Sequence, residues 1–215
     1  MNIETLKTFT AEQAFYPEES QSARNAAIGL EDNLRHTQKS DKRRLLDFQR
    51  VSNAAKHLDS LPQPGETIHA IMKGNYDGFD VVPAVVQLGG KIRQLDVCTL
   101  GFNRRNAYTL IEMIDAGQVE RCRFICSVYY RANEPEVFDY LFNELTARGC
   151  SMVACRCHCK IILFEMDSGQ NYVIESSANL RSCRMLEQFT MTHDKDVLEF
   201  HREWMKEMIK KGGER

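Results

Sequence analysis

From Thr67 onward the chain alternates short apolar runs with amphipathic stretches, and this rhythm limits the fold more than any other feature of the sequence. A run such as Thr67 to Met72, Ile92 to Cys98 or Arg121 to Tyr129 has strand length, and each is followed by a stretch of helical period. Strands that alternate with helices bury both faces of a sheet, so the pattern predicts an α/β layered domain. Two of the helices carry their own boundary signals. Asn103 is placed to cap one with the inner stripe Ala107, Leu110, Ile111 and Ile114, closed by Gly117. Asn133 is expected to cap another, with Val137, Phe138, Leu141, Phe142 and Leu145 facing inward and Gly149 at its end.

After Gly149 the spacing shortens. Ser151 to Cys155, Cys159 to Glu165 and Tyr172 to Glu175 read as strands, and the turn Asp167-Ser168-Gly169-Gln170 makes the last two a hairpin. A strand from Gln188 to Thr192 and a helix capped by Asp194, with Val197, Leu198, His201, Met205 and Met208 inward, complete the domain at about residue 212. Residues 1 to 65 have a different texture, rich in Glu, Gln, Asn, Ser, Lys and Arg. They are expected to form a helical, partly flexible extension, with Ser40 capping a helix that buries Leu45, Phe48, Val51, Ala55 and Leu58 and stops at Leu61-Pro62-Gln63-Pro64-Gly65.

Charge and cysteine content narrow the function classes. With 28 basic and 30 acidic residues the net charge is −2, so no global field marks a nucleic-acid binder and any phosphate site must be local. No apolar run approaches the roughly 20 residues of a membrane span. The opening MNIETLKTFTAEQ lacks the pattern of a secretory signal, so the eight cysteines are read as reduced thiols of a cytoplasmic protein.

The chemistry concentrates in His158-Cys159-Lys160-Ile161-Ile162-Leu163-Phe164-Glu165 and, beyond the hairpin, Ser176-Ser177-Ala178-Asn179-Leu180. A strand alternates its faces, so His158 and Lys160, two apart, project from the same side and point together. Ser177 and Asn179 add a hydroxyl and an amide within reach of the same pocket, which together make a phosphate cradle. This pair of segments resembles the HxKxxxxD and GSxN signature of the phospholipase D superfamily, with Glu165 in place of Asp and Ser176 in place of Gly.

The resemblance implies a mixed sheet with helices on both faces and a metal-independent phosphodiesterase that needs no cofactor. It implies that His158 attacks phosphorus while Lys160, Ser177 and Asn179 hold the phosphate oxygens. Glu187 takes the place of the acidic residue that orients the histidine, and Glu165 and Ser176 support the site. Imidazole suits the reaction because it is nucleophilic when neutral and, in a second copy, can donate a proton. A second HxK occurs only at His193-Asp194-Lys195, which has no SxN companion and reads as a chance match at a helix cap. One motif per chain implies a homodimer with the two His158 residues facing across a two-fold axis. Single-motif members look like nucleases, so nucleic acid, with DNA ahead of RNA, is the expected substrate. The rivals are a degenerate member that binds nucleic acid without cutting it, and an enzyme for lipid or another small phosphodiester.

Other features read more simply. Cys155, Cys157 and Cys159 are spaced along one strand rather than as a zinc knuckle with Cys150 or Cys183, and are taken as packing residues around His158 whose basic surroundings can sensitise a thiol to oxidation. Lys39, Lys42, Arg43, Arg44, Arg50 and Lys56, with His36 and His57, give the first helix a basic polar side. Such a face is ordinarily solvated, but Lys42, Arg43 and Arg44, with Arg104 and Arg105 and further on Arg121 and Arg123, are the candidate phosphate-backbone contacts. His69 and His201 read as core or boundary histidines and Trp204 as a packing residue.

Overall fold

The computed structural model describes residues 31–74, 76–181 and 185–213, and their side chains from residue 45 onward. The chain divides into two compact units, Met1–Gln49 and Arg50–Arg215. In the first, the described backbone is the opening of helix α1, Glu31–Leu58, so Ser40 lies inside that helix and does not cap it. The side chains of His36, Lys39, Lys42, Arg43 and Arg44 fall outside the described residues, as does Cys183.

The second unit is a seven-stranded mixed sheet in the order β1-β7-β6-β5-β2-β3-β4. Its strands are β1 Thr67–Met72, β2 Ile92–Thr99, β3 Val119–Ser127, β4 Ser151–Cys155, β5 Ile161–Met166, β6 Asn171–Ser176 and β7 Glu187–Thr192. β2, β3 and β4 run parallel, joined by helices, while β5, β6, β7 and β1 pair antiparallel. The helices are α2 Val81–Gly89, α3 Arg104–Asp115, α4 Val128–Asn133, α5 Pro135–Ala147 and α6 Lys195–Lys210, and a 3₁₀ turn, Gly78–Asp80, precedes α2. No described helix is long and apolar enough to cross a membrane.

Strand alternation sorts the side chains into two cores. Leu95, Val97, Phe124, Ile162, Phe164 and Ile174 face the larger one, which also takes in Ala54, Ala55 and Leu58 from the end of α1. Cys98, Ile125, Cys155, Ile161, Leu163 and Val173 face α6, which covers them with Leu198 and Met205. Helices therefore lie on both faces of a mixed sheet, an α/β layering as the sequence pattern predicts and a mixed sheet as the resemblance implies.

Several local expectations are corrected. β3 ends at Ser127, whose side chain accepts from Tyr130 N and caps α4, so Val128 and Tyr129 are helical. Asn133 is the last residue of α4, and α5 is entered through Glu134 with Pro135 in its first turn, where a missing N–H costs nothing. Phe142 is exposed at 39 % and packs along Phe138. His69 points to solvent from β1. Asn103 caps α3 as expected, through a reciprocal pair of hydrogen bonds with Asn106.

Candidate functional site

The motif residues gather at the end of the sheet where the parallel strands finish. β4 stops at Cys155, and Cys157 N–H immediately closes back on Cys155 O at 2.9 Å. This tight turn throws Arg156 to Lys160 out of the sheet, and β5 begins only at Ile161, opposite Cys98 of β2. His158 and Lys160 thus lie in a loop, and strand alternation is not what brings them together. The Lys160 side chain folds back instead. Its Nζ lies 2.8 Å from His158 Nδ1 and donates to His158 O at 2.8 Å. An ammonium can only donate, so Nδ1 accepts and a neutral His158 ring carries its proton on Nε2.

The second half of the motif is tied to the first by backbone. Ser176 N–H donates to Lys160 O at 3.0 Å, where β6 ends beside the loop. Ser176 Oγ then accepts from Ala178 N at 2.9 Å and donates to Gln188 O at 2.9 Å, which bends the chain sharply into the Ser177–Leu180 turn. The Ser176 hydroxyl thus braces the bend from both sides. Ser177 Oγ accepts from Gln188 N at 3.0 Å and donates to the Glu187 carboxylate in a short hydrogen bond. The residue expected on the phosphate and the one expected on the histidine are therefore bonded to each other. Asn179 is half-buried, and its Oδ1 has no hydrogen-bond partner among the described residues.

Between the two halves lies a small recess bordered by Lys160, Ser176, Ala178 and Leu180 together with Met72 and Gly78, over apolar side chains that include Val81, Ile162 and Phe189. Gly78 belongs to a support that the sequence did not reveal. A Cβ at Gly78 would stand 2.6 Å from Asn179 O, and Phe79 N–H donates to Leu180 O at 3.0 Å. The 3₁₀ turn thus presses directly on the Asn179 turn, at a distance only glycine permits.

That turn is fixed by a buried charge cluster. Asp77 and Asp80 are each 1 % exposed, and the Arg105 guanidinium donates to Asp80 Oδ1 at 2.8 Å and to Asp77 Oδ2 at 2.6 Å. Asn103 and Asn106 add amide hydrogen bonds to Asp77 Oδ2, and Arg50 approaches Asp77 Oδ1 at 3.5 Å. Burial pushes the Asp77 carboxyl up, but Arg105 and the two amides outweigh it and hold the group below the usual carboxylate range. For Asp80 burial wins over Arg105, and its carboxyl is raised. Buried Tyr76 is pushed up to about 12 by desolvation and by Asp80, and its hydroxyl meets His57 Nδ1 at 2.6 Å.

The basic residues expected on a nucleic-acid surface are divided by this geometry. Arg105 is a correction, since it points inward with 17 % of its side chain exposed. Arg123 is likewise turned in, onto buried Asp96 at 2.6 Å. Arg104 is exposed and meets Glu136 at 3.3 Å, and Arg121 is exposed. Glu165 lies four residues down β5, about 13 Å from the loop at the usual strand rise. It pairs with Arg93 (2.5 Å) and Arg202 (2.6 Å). Among the described residues no group of three or more His, Cys, Asp or Glu side chains is placed to hold a metal ion. His193 Nδ1 donates to Pro62 O at 3.0 Å beside the Asp194 cap, apart from the motif.

No protein-family model matches the sequence, and no curated protein matches it. Solved structures do match the fold. The phospholipase D family member Nuc of Salmonella typhimurium aligns over 69 % of this chain and 97 % of its own length, with 13 % identity and a TM-score of 0.50. Phosphatidylserine synthase of Haemophilus influenzae aligns over 71 % of this chain and 40 % of its own (14 %, TM-score 0.49). The archaeal chromatin protein TrmBL2 aligns over 89 % and 66 % (14 %, TM-score 0.47). This chain has the phospholipase D superfamily fold.

Proposed function

We propose that the chain is a phosphodiesterase that hydrolyses nucleic-acid phosphodiester bonds without a metal, through a phosphohistidine on His158, at a site shared by two copies. The observation that carries this reading is the joining of the two motif halves, Ser176 N–H on Lys160 O, with the Lys160 ammonium resting on the His158 ring.

In this state the His158 tautomer suits proton donation better than attack. A phosphate arriving beside the motif competes for the Lys160 ammonium, which is free to leave Nδ1 for an oxyanion with a full charge. Nδ1 then needs a new partner, and Glu187 is the carboxylate held beside the motif. With the proton on Nδ1 and oriented by a carboxylate, Nε2 has its lone pair free to attack phosphorus. The P–O bond to the leaving group breaks, and that oxygen takes a proton from His158 of the second copy. Water then attacks phosphorus, the P–Nε2 bond breaks to free His158, and the same second imidazole now accepts the proton of the water. Lys160 and the Asn179 amide, after a half-turn that presents its NH₂, hold the equatorial oxygens as charge spreads over them. Arg104 is the proposed backbone contact of the sheet domain, Lys42, Arg43 and Arg44 are separately proposed contacts of the extension, and a cytoplasmic setting keeps the thiols reduced.

The test is cleavage of plasmid and single-stranded DNA by wild-type and His158→Ala protein, in EDTA, from pH 5 to 8. Cleavage by the wild type alone is expected. Full activity in His158→Ala overturns the mechanism. Salt-sensitive binding without cleavage by either protein replaces hydrolysis with binding.

A further inference from the structure

The loop that carries His158 is rooted beside a thiol pair, Cys157 of the loop and Cys98 of β2, that the proposed reaction does not use. Cys98 is the last residue but one of β2 and is completely buried, facing α6 together with Cys155. Cys157 is only half-buried and packs against that cluster. Its Sγ lies 3.8 Å from Thr99 O, the carbonyl next along β2 from Cys98, so the side chain rests on the end of that strand. Two thiols of unequal exposure therefore meet at the root of the His158 loop, one reachable from solvent and one sealed behind it.

We propose that Cys157 and Cys98 form a peroxide-reactive dithiol, with Cys157 as the oxidised thiol and Cys98 as the one that closes the disulfide. The Cys157 thiolate attacks one oxygen of a hydroperoxide. The S–O bond forms as the O–O bond breaks, and the departing hydroxide or alkoxide takes up a proton. Cys98 then attacks the Cys157 sulfur, the S–S bond forms as the S–O bond breaks, and the hydroxyl leaves as water with the Cys98 proton. Two thiols and one hydrogen peroxide thus give one disulfide and two waters, and any dithiol reductant reverses the bond.

Electrostatics favours this division of labour. The neighbouring Cys98 thiol lowers the Cys157 thiol most, and although burial opposes it, Cys155 and the Lys160 charge add to the lowering, bringing the group to about 7. Cys98 is raised by the neighbouring Cys157 and by burial, so it stays a thiol until Cys157 is oxidised. A thiol that ionises near ambient pH is the faster nucleophile, because it combines a high thiolate fraction with retained nucleophilicity. The bridge would tie the peptide just ahead of His158 to the end of β2.

The experiment uses the full chain, reduced and freed of reductant, then treated with hydrogen peroxide, blocked with iodoacetamide and mapped by peptide mass spectrometry. One intrachain Cys98–Cys157 bridge that dithiothreitol removes is the expected product. In Cys98→Ala, Cys157 should stop at the sulfenic acid and be trapped by a cyclic dione. Without peroxide, alkylation of Cys157 should reach half its plateau rate near pH 7. A bridge from Cys157 to Cys155, to Cys159 or to another chain overturns the assignment, as does peroxide oxidation of Cys159 that leaves Cys157 untouched. The wild-type map decides the matter even if Cys98→Ala fails to fold, and it is independent of whether the chain cleaves a phosphodiester.

Discussion

Two buried ion clusters brace this domain, and they differ in how many arginines each carboxylate can call on. Beneath the 3₁₀ turn, one guanidinium, Arg105, serves both Asp77 and Asp80 at close range, and only Asp77 has a second arginine, Arg50, at 3.5 Å. Beneath α6, Asp96 is held by Arg123 and approached by Arg202, while Glu165 is held by Arg93 and Arg202. The first cluster is unshared at its centre and presses on the Asn179 turn. The second is redundant and ties a helix to the sheet at a distance from the motif. Charge pairs of the same chemistry should therefore fail differently, one through the site and the other through stability.

The largest effect is expected for Arg105→Ala. It strands two carboxylates in the core, and breaking a buried pair on one side costs about 3–5 kcal/mol. For a domain of this size that lowers the melting temperature by roughly 10 °C, read by thermal unfolding. Arg202→Ala should cost less, about 1–2 kcal/mol, because Asp96 keeps Arg123 and Glu165 keeps Arg93. Equal losses in the two variants would erase the distinction.

Gly78→Ala separates stability from the site. Its Cβ meets a backbone oxygen, Asn179 O, which cannot rotate away, so the Asn179 turn itself must shift. Overpacking of this kind costs about 1–3 kcal/mol. A displacement of about 1 Å at a phosphate-binding amide can cost up to about 100-fold in turnover. On the proposed function, Gly78→Ala should lose turnover well beyond its loss of stability, whereas Arg202→Ala at matched temperature below its melting point should keep turnover. Gly78→Ala with unchanged turnover would reduce the 3₁₀ turn to an ordinary piece of packing.

These clusters also mark where the sequence ceases to be legible. Strand and helix positions could be read because they repeat locally: β1 and β4 have the ends expected, and Asn103 and Asp194 cap the helices assigned to them. The motif residues stand out because HxK and SxN are contiguous strings. What could not be read depends on partners far away in the chain. Arg105 looks like a surface charge until Asp77 and Asp80 are known to lie against it, 28 and 25 residues earlier. His158 and Lys160 look like strand residues because Cys159 to Glu165 is apolar enough. The strand starts late, at Ile161, because the Cys155–Cys157 turn turns the chain out of the sheet first. Gly78 carries no local signal at all, since its need arises from the backbone of Asn179, about 100 residues on.

The smallest and sharpest test is at Glu165, where the motif that this segment resembles has Asp. The longer side chain reaches two arginines on different elements, Arg93 on β2 and Arg202 on α6. Burial pushes its carboxyl up, but the two arginines outweigh burial and leave the group below its ordinary value. A depressed carboxylate contributes stability that is fully present above its unfolded value, near pH 4.3, and is lost as pH falls through its folded value. Urea midpoints measured from pH 3 to pH 7 should therefore fall on the acid side in wild type, and Glu165→Gln should flatten that limb while lowering the neutral midpoint only slightly. Glu165→Asp is the discriminating variant. If one carboxylate must bridge both arginines, the shorter side chain keeps only one of them and its acid limb lies between those of wild type and Glu165→Gln. If Asp restores the full wild-type limb, the bridge to α6 is not what the extra methylene provides, and the redundancy assigned to this cluster rests on Asp96 alone.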